Sequence, residues 1–197
     1  MESLPTKHKV VLIGDAGVGK TALLTRLIKN YFYDSYCPTV GTGFGFWDTC
    51  INDVTIRLHI WDTAGTEQYR ALAPIFYQNA EAAIVCYSQT DPQSEKAVNF
   101  WIQKFTDSAG KIPLIAIAAN KSDAVSERDC RAMKQFADEN KYIFSEASAK
   151  TGEGVVEIFQ KVAEMVLKNS MPVSQLIVEP KFVKFSSQLE SEKKKCC

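Results

Sequence analysis

Histidine is scarce, with 2 in 197 residues, and the 6 cysteines include no CxxC pair and no Cys/His cluster. A zinc site and a disulfide framework both lack material, so Cys37, Cys50, Cys86 and Cys130 read as ordinary thiols. Neither charge is in excess, since Lys plus Arg and Asp plus Glu each number 23. No global field therefore draws the chain onto nucleic acid, and any membrane or partner recognition must be local. No apolar run approaches the roughly 18 residues of a membrane span, and Met1 to Lys9 has no apolar centre to serve as a secretion signal. A cytosolic chain is expected. Internal repeats and low-complexity tracts are lacking too. What is present is an apolar fraction of 46% with 23% charged residues, a balance that suits one globular domain with a sizeable core.

Short apolar runs alternate with helical periods, the pattern of a mostly parallel sheet covered by helices on both faces. Lys9 to Ile13 reads as the first strand and 19–30 as a helix. Phe44 to Ile51 and Val54 to Trp61 alternate around a tight Asn52-Asp53 turn, which predicts one antiparallel edge strand. Buried strands are expected at Ala82 to Tyr87, Pro113 to Ala119 and Tyr142 to Phe144, completing a six-stranded sheet. A helix over 92–106 opens with the cap Asp91 and the first-turn Pro92, and Ser126 with Asp129 offers a capping pair for the next. The last helix, over 153–168, gathers Val155, Ile158, Phe159, Val162, Met165 and Val166 on one core-facing stripe. Periodicity ends after Asn169. The chain thus divides into a domain over 1–169 and a flexible tail over 170–197.

Gly14-Asp15-Ala16-Gly17-Val18-Gly19-Lys20-Thr21 matches GxxxxGK[ST] and lies between an apolar strand and a helix, where a phosphate loop must lie. Its glycines let backbone N–H groups curl inward onto phosphates, the helix N-terminus adds a positive dipole, and Lys20 reaches the terminal phosphates. Thr21 supplies a hydroxyl to Mg²⁺. The base is read elsewhere, by Asn120-Lys121-Ser122-Asp123 at the carboxyl end of a buried strand. An ionised Asp123 accepts the two N–H donors that guanine presents and rejects adenine, which offers an acceptor there. Ser148-Ala149-Lys150 follows the sixth strand in the same way, with the Ala149 N–H aimed at the guanine carbonyl and Lys150 flanking the ring. In Trp61-Asp62-Thr63-Ala64-Gly65-Thr66, Asp62 can hold the hydration shell of Mg²⁺, and Gly65 can bring its N–H to a γ-phosphate.

In this order the motifs resemble those of the Ras-like small GTPases over about residues 8–168. The resemblance implies a P-loop NTPase G domain that binds GTP or GDP with Mg²⁺ and hydrolyses GTP, with Lys20, Thr39, Gly65 and Thr66 at the catalytic positions. Within the superfamily the chain looks like a Rab, a director of vesicle traffic, because of Ile60 to Gly65, the short connections and the terminal Cys196-Cys197. Ala71 to Tyr77 is most similar to the early-endosomal Rab group. A Rho resemblance at Pro38-Thr39-Val40 lacks the extra helix between Asp123 and Ser148, and Glu2 replaces the glycine of an Arf. Carried over, Phe32 packs on guanine, Tyr36 folds over the phosphates, Ala22 and Pro38 contact the nucleotide, and Thr39 closes on Mg²⁺ and γ-phosphate. Phe44, Trp61 and Phe76 match the aromatics that Rab effectors read.

Some residues depart from that pattern. Thr66 stands where the family places the glutamine that orients the attacking water, and its short hydroxyl predicts slow intrinsic hydrolysis. Ala16 stands where many Rabs have serine, and Gly41, Gly43 and Gly45 predict a loose first switch. The ending Lys193-Lys194-Lys195-Cys196-Cys197 is similar to the double-cysteine Rab signal for two geranylgeranyl groups, enough for stable anchoring. The implied partners are an exchange factor, a GTPase-activating protein, effectors, a prenylation escort and a GDP-dissociation inhibitor, around a monomer that cycles to endosomal membranes. Two other readings stay open, a nearly hydrolysis-deficient GTP-bound scaffold and, less favoured by Asn120 to Asp123, a P-loop ATPase or kinase.

Overall fold

The computed structural model describes residues 5–34, 38–39, 41–65, 73–110, 114–125 and 129–170. Within them lie six strands, β1 (Thr6–Ile13), β2 (Thr42–Ile51), β3 (Val54–Thr63), β4 (Ala82–Ser88), β5 (Leu114–Asn120) and β6 (Ile143–Glu146). The helices are α1 (Lys20–Lys29), α2 (Ala73–Tyr77), α3 (Pro92–Lys96), α4 (Val98–Ala109), α5 (Arg131–Glu139) and α6 (Val155–Ser170). The strands form one sheet in the order β2-β3-β1-β4-β5-β6. Every neighbouring pair is parallel except β2 and β3, so the antiparallel strand is the edge strand that the sequence predicts. Asn52 and Asp53 both adopt left-handed backbone (φ 50° and 63°), the geometry that turns a two-residue hairpin with the right twist.

Alternation along β1 divides the core. Val10 and Leu12 face α1 and α6, whereas Val11 and Ile13 face α2, α4 and α5. The central β4 is buried at all 7 positions, which is why it runs apolar from Ala82 to Tyr87 rather than alternating. In α6 the stripe Val155, Ile158, Phe159, Val162 and Val166 is buried and Met165 packs partly buried beside it. Burying each of the larger of these side chains contributes about 2 kcal/mol.

Three local expectations change. The single helix over 92–106 is two, because Asp91 and Ser94 pin the first turn to the end of β4. The Asp91 side chain accepts from the Gln93 N–H (3.0 Å), the Ser94 hydroxyl donates to Asp91 O (2.7 Å) and accepts from the Ser88 N–H (3.0 Å), and α3 ends at Ala97, whose N–H is shared by Gln93 O and Glu95 O. From Val98 onward α4 can then bury Val98, Trp101, Ile102 and Phe105. Gly43 and Gly45, expected to loosen the first switch, are paired within β2. A Cβ at Gly45 would strike Ile28 and touch Leu24, so the glycine lets α1 settle directly on the strand. Last, α2 is a 5-residue helix that no apolar period announces. Of the helix caps, Asp129 accepts from the Arg131 N–H at the head of α5, while Ser126 lies outside the described residues, as does the tail beyond Ser170.

Candidate nucleotide-binding site

The loop between β1 and α1 crosses the carboxyl edge of the sheet beside the point where strand order reverses, between β3, β1 and β4. In open α/β sheets that crevice is where ligands bind. Gly19 caps α1 in left-handed backbone (φ 97°), and a Cβ there would strike the Asn120 amide. Only glycine satisfies both constraints. Lys20, 6% exposed, donates through Nζ to Gly14 O (2.8 Å) and Asp15 O (2.7 Å), which places its ammonium inside the curl of the loop. Burial lowers its pKa, and the neighbouring Cys86, Asp62 and Asp15 act in the opposite direction. A cavity of about 110 Å³ opens here, lined by Ala16, Gly17, Gly19, Lys20, Thr21, Pro38, Thr39, Thr63 and Gly65.

At its floor three oxygen side chains converge. The Thr21 hydroxyl donates to Asp62 Oδ2 (2.6 Å) and lies 2.7 Å from the Thr39 hydroxyl. Asp62 is 1% exposed, and its Oδ1 has no hydrogen-bond partner among the described residues. Burial pushes this carboxyl above the usual carboxylate range, against the Thr21 hydrogen bond and the Lys20 charge. A buried carboxylate oxygen without a partner costs about 1–3 kcal/mol, and a hard cation held by hydroxyl and carboxylate oxygens would relieve it. Thr21, Thr39 and Asp62 therefore fit Mg²⁺. When bound, the ion would supply positive charge against the phosphates.

A second cavity, of about 380 Å³, continues from Gly17 and Gly19. It is lined by Ala22, Phe32, Asn120, Lys121, Asp123, Ala149 and Lys150, as the sequence predicts, and by Tyr33, Asp34 and Ala124, which it does not. Its walls are cross-linked. Asn120 donates through Nδ2 to Val18 O (2.8 Å) and accepts through Oδ1 from the Ala149 N–H (3.1 Å). Lys121 Nζ donates to Gly17 O (2.8 Å), and the buried Ser148 hydroxyl donates to Asp123 Oδ1 (2.6 Å). Asp123 itself is exposed at the cavity, where a base edge can reach it. Arg26, missed in the sequence, anchors the Ser148–Lys150 loop by donating to Ala149 O (2.8 Å) and Lys150 O (2.5 Å). Its only sequence signal is a basic residue in the last turn of α1, which usually reads as dipole compensation.

The family model of the Ras family matches residues 9–168. The chain belongs to the Ras family. Ras-family proteins are GTP-binding switches that bind GTP or GDP, generally with Mg²⁺, hydrolyse GTP, and interact with regulators and effectors. Gly65 lies so near Asp15 and Ala16 that a Cβ there would strike their peptide. Beyond it, Phe44, Trp61 and Phe76 form a row, with ring centroids 5.3 Å apart between the first two and 6.1 Å between the last two. Phe44 is 54% exposed, whereas Trp61 and Phe76 are half-buried against the α4 side of the core. Lys9 lies over the Trp61 ring. Cys86 behaves as an ordinary buried thiol, its pKa pushed up to about 12 by burial, and the buried Cys130 sulfur accepts from the Tyr87 hydroxyl (3.6 Å). Cys37, Tyr36, Thr66, Cys196 and Cys197 lie outside the described residues.

Proposed function

We propose that this Ras-family protein is a Rab-type switch of endosomal or vesicle traffic, binding effectors in the GTP state and hydrolysing GTP slowly. The observation that carries the reading is the aromatic row. Trp61 precedes the Mg²⁺ residue Asp62 on the same strand, Phe44 pairs with Trp61 across β2 and β3, and Phe76 packs on Trp61 from α2. An effector seated on these rings touches both segments that border the phosphate cavity, so its affinity responds to what the cavity holds. The double cysteine Cys196-Cys197 supports membrane attachment through two lipids, with Lys193, Lys194 and Lys195 adding attraction to an anionic cytosolic surface. An exchange factor, an activating protein, a prenylation escort and a GDP-dissociation inhibitor complete such a cycle.

For hydrolysis, Lys20 neutralises charge that develops on the terminal phosphate oxygens, and the Gly65 N–H is placed to donate to the γ-phosphate. Thr66 offers one short hydroxyl where glutamine would orient water with both a donor and an acceptor. Single-turnover hydrolysis tests this. Thr66→Gln should speed the unassisted rate by about tenfold or more, since one positioned polar group is typically worth ~10²–10³-fold in a charge-stabilising site. Equal rates overturn the slow-hydrolysis reading. A wild-type rate that no activating protein raises would favour the long-lived GTP-bound scaffold that Thr66 also suggests. Membrane pelleting that survived Cys196→Ser with Cys197→Ser would overturn the lipid anchor.

A further inference from the structure

Trp101 is buried to 3% exposure on α4, yet its indole N–H does not stay within the apolar core around it. It donates to Asp15 Oδ1 (2.9 Å), across to the phosphate loop. Asp15 faces three ways. Its side chain takes the Trp101 hydrogen bond, its carbonyl takes the Lys20 ammonium (2.7 Å), and its peptide with Ala16 is the surface against which Gly65 rests. Because Gly65 has no side chain to hold it, the placement of its N–H depends on what it leans against. The Asp15–Ala16 peptide is in turn held from below by α4, which also packs Phe105 against Tyr77 of α2 (ring centroids 5.4 Å apart).

We propose that Trp101 is a positioning residue for the γ-phosphate. Through Asp15 it sets the Asp15–Ala16 peptide, and that peptide sets Gly65. The consequence is specific to the triphosphate. A diphosphate is held by the loop N–H groups and Lys20, while the γ-phosphate adds Gly65, so loss of the tie weakens the triphosphate complex alone. The inference rests on reading Gly14 to Thr21 as the nucleotide's phosphate loop.

The test compares release of GDP and of a non-hydrolysable GTP analogue from the full chain with Mg²⁺. Trp101→Phe should speed release of the analogue by about tenfold, the scale of one hydrogen bond to a charged group, and change GDP release by less than about twofold, and Asp15→Ala should shift the ratio of the two release rates in the same direction. Asp15→Asn keeps a carbonyl acceptor and should restore the wild-type ratio, and the double variant should be no worse than either single one. Because Trp101→Phe also removes core volume, the Asp15 pair decides the matter if that variant does not fold. Equal acceleration of both nucleotides, an unchanged ratio, or failure of Asp15→Asn to rescue would overturn the proposal. Wild-type protein that retains neither nucleotide would instead overturn the phosphate-loop reading, and this inference with it.

Discussion

The base half and the phosphate half of the nucleotide site meet at Gly17 and Gly19, and they are held together by different means. In the base half, residues far apart in sequence are bonded directly to one another. Asn120 joins Val18 to Ala149, Lys121 reaches Gly17, Ser148 fixes Asp123, and Arg26 holds the loop that follows β6. In the phosphate half, Thr21, Thr39 and Asp62 converge, but Asp62 Oδ1 has no partner among the described residues. A pocket satisfied by its own protein is preorganised and spends little binding energy on closing. A pocket whose polar groups are completed by the ligand and its cation couples binding to the position of the segments that carry those groups. That is the arrangement a switch needs, since Thr39 and Gly65 border the phosphate cavity and the base readers do not.

The contrast can be broken by experiment. Lys20→Ala should have the largest effect, lowering GDP affinity by about 100-fold or more through loss of charge-assisted contacts worth roughly 1.5–3 kcal/mol each. Calorimetric titration would read this, and a loss under about tenfold would mean that the phosphate half does not depend on its ligand contacts as argued. Asn120→Ala should act on the fold instead. It leaves Val18 O and the Ala149 N–H without their partner, costing about 2–3 kcal/mol and lowering Tm by about 5–10 °C with or without nucleotide. A drop seen only with nucleotide bound would show that the base half is not preorganised.

A smaller effect is expected in α2, which follows the phosphate half. The Tyr77 hydroxyl is buried without a hydrogen-bond partner among the described residues, and burial pushes its pKa up. Tyr77→Phe removes that cost and should raise Tm by about 2–4 °C, corresponding to about 1 kcal/mol, while the ring keeps its contact with Phe105. An unchanged or lowered Tm would show that the hydroxyl is satisfied in solution. Smallest of all is the α5 cap, whose Asp129 and Arg131 line neither cavity. The Arg131 guanidinium, and then its N–H, hold the Asp129 carboxyl down to about 2. A depressed carboxylate stabilises above its ordinary range, and that contribution is lost as pH falls toward about 2. An NMR titration of Asp129 with an ordinary midpoint would show that the exposed pair does not persist.

Much of this could be read along the chain because periodicity and motif spacing are local properties. Every strand was foreseen to within about three residues at its ends, the Asn52-Asp53 hairpin set the antiparallel edge, and the phosphate loop needed only its neighbouring strand and helix to be placed. The failures have a common cause. The packing of Gly45 under Ile28 and the anchoring role of Arg26 each depend on a partner distant in sequence, which no short window of residues contains. Trp101 illustrates this most clearly, since along the chain it is one apolar residue in a helical stripe.

By itself the sequence determined the chemistry, which groups can hold phosphate, cation and a guanine edge, because hydrogen-bonding capacity and charge belong to the residue. Only the tertiary structure decided which of those groups are already satisfied. Asn120 is engaged on both sides and Asp62 keeps one buried oxygen without a partner among the described residues, a difference that arises from burial and from contacts made across the sheet edge.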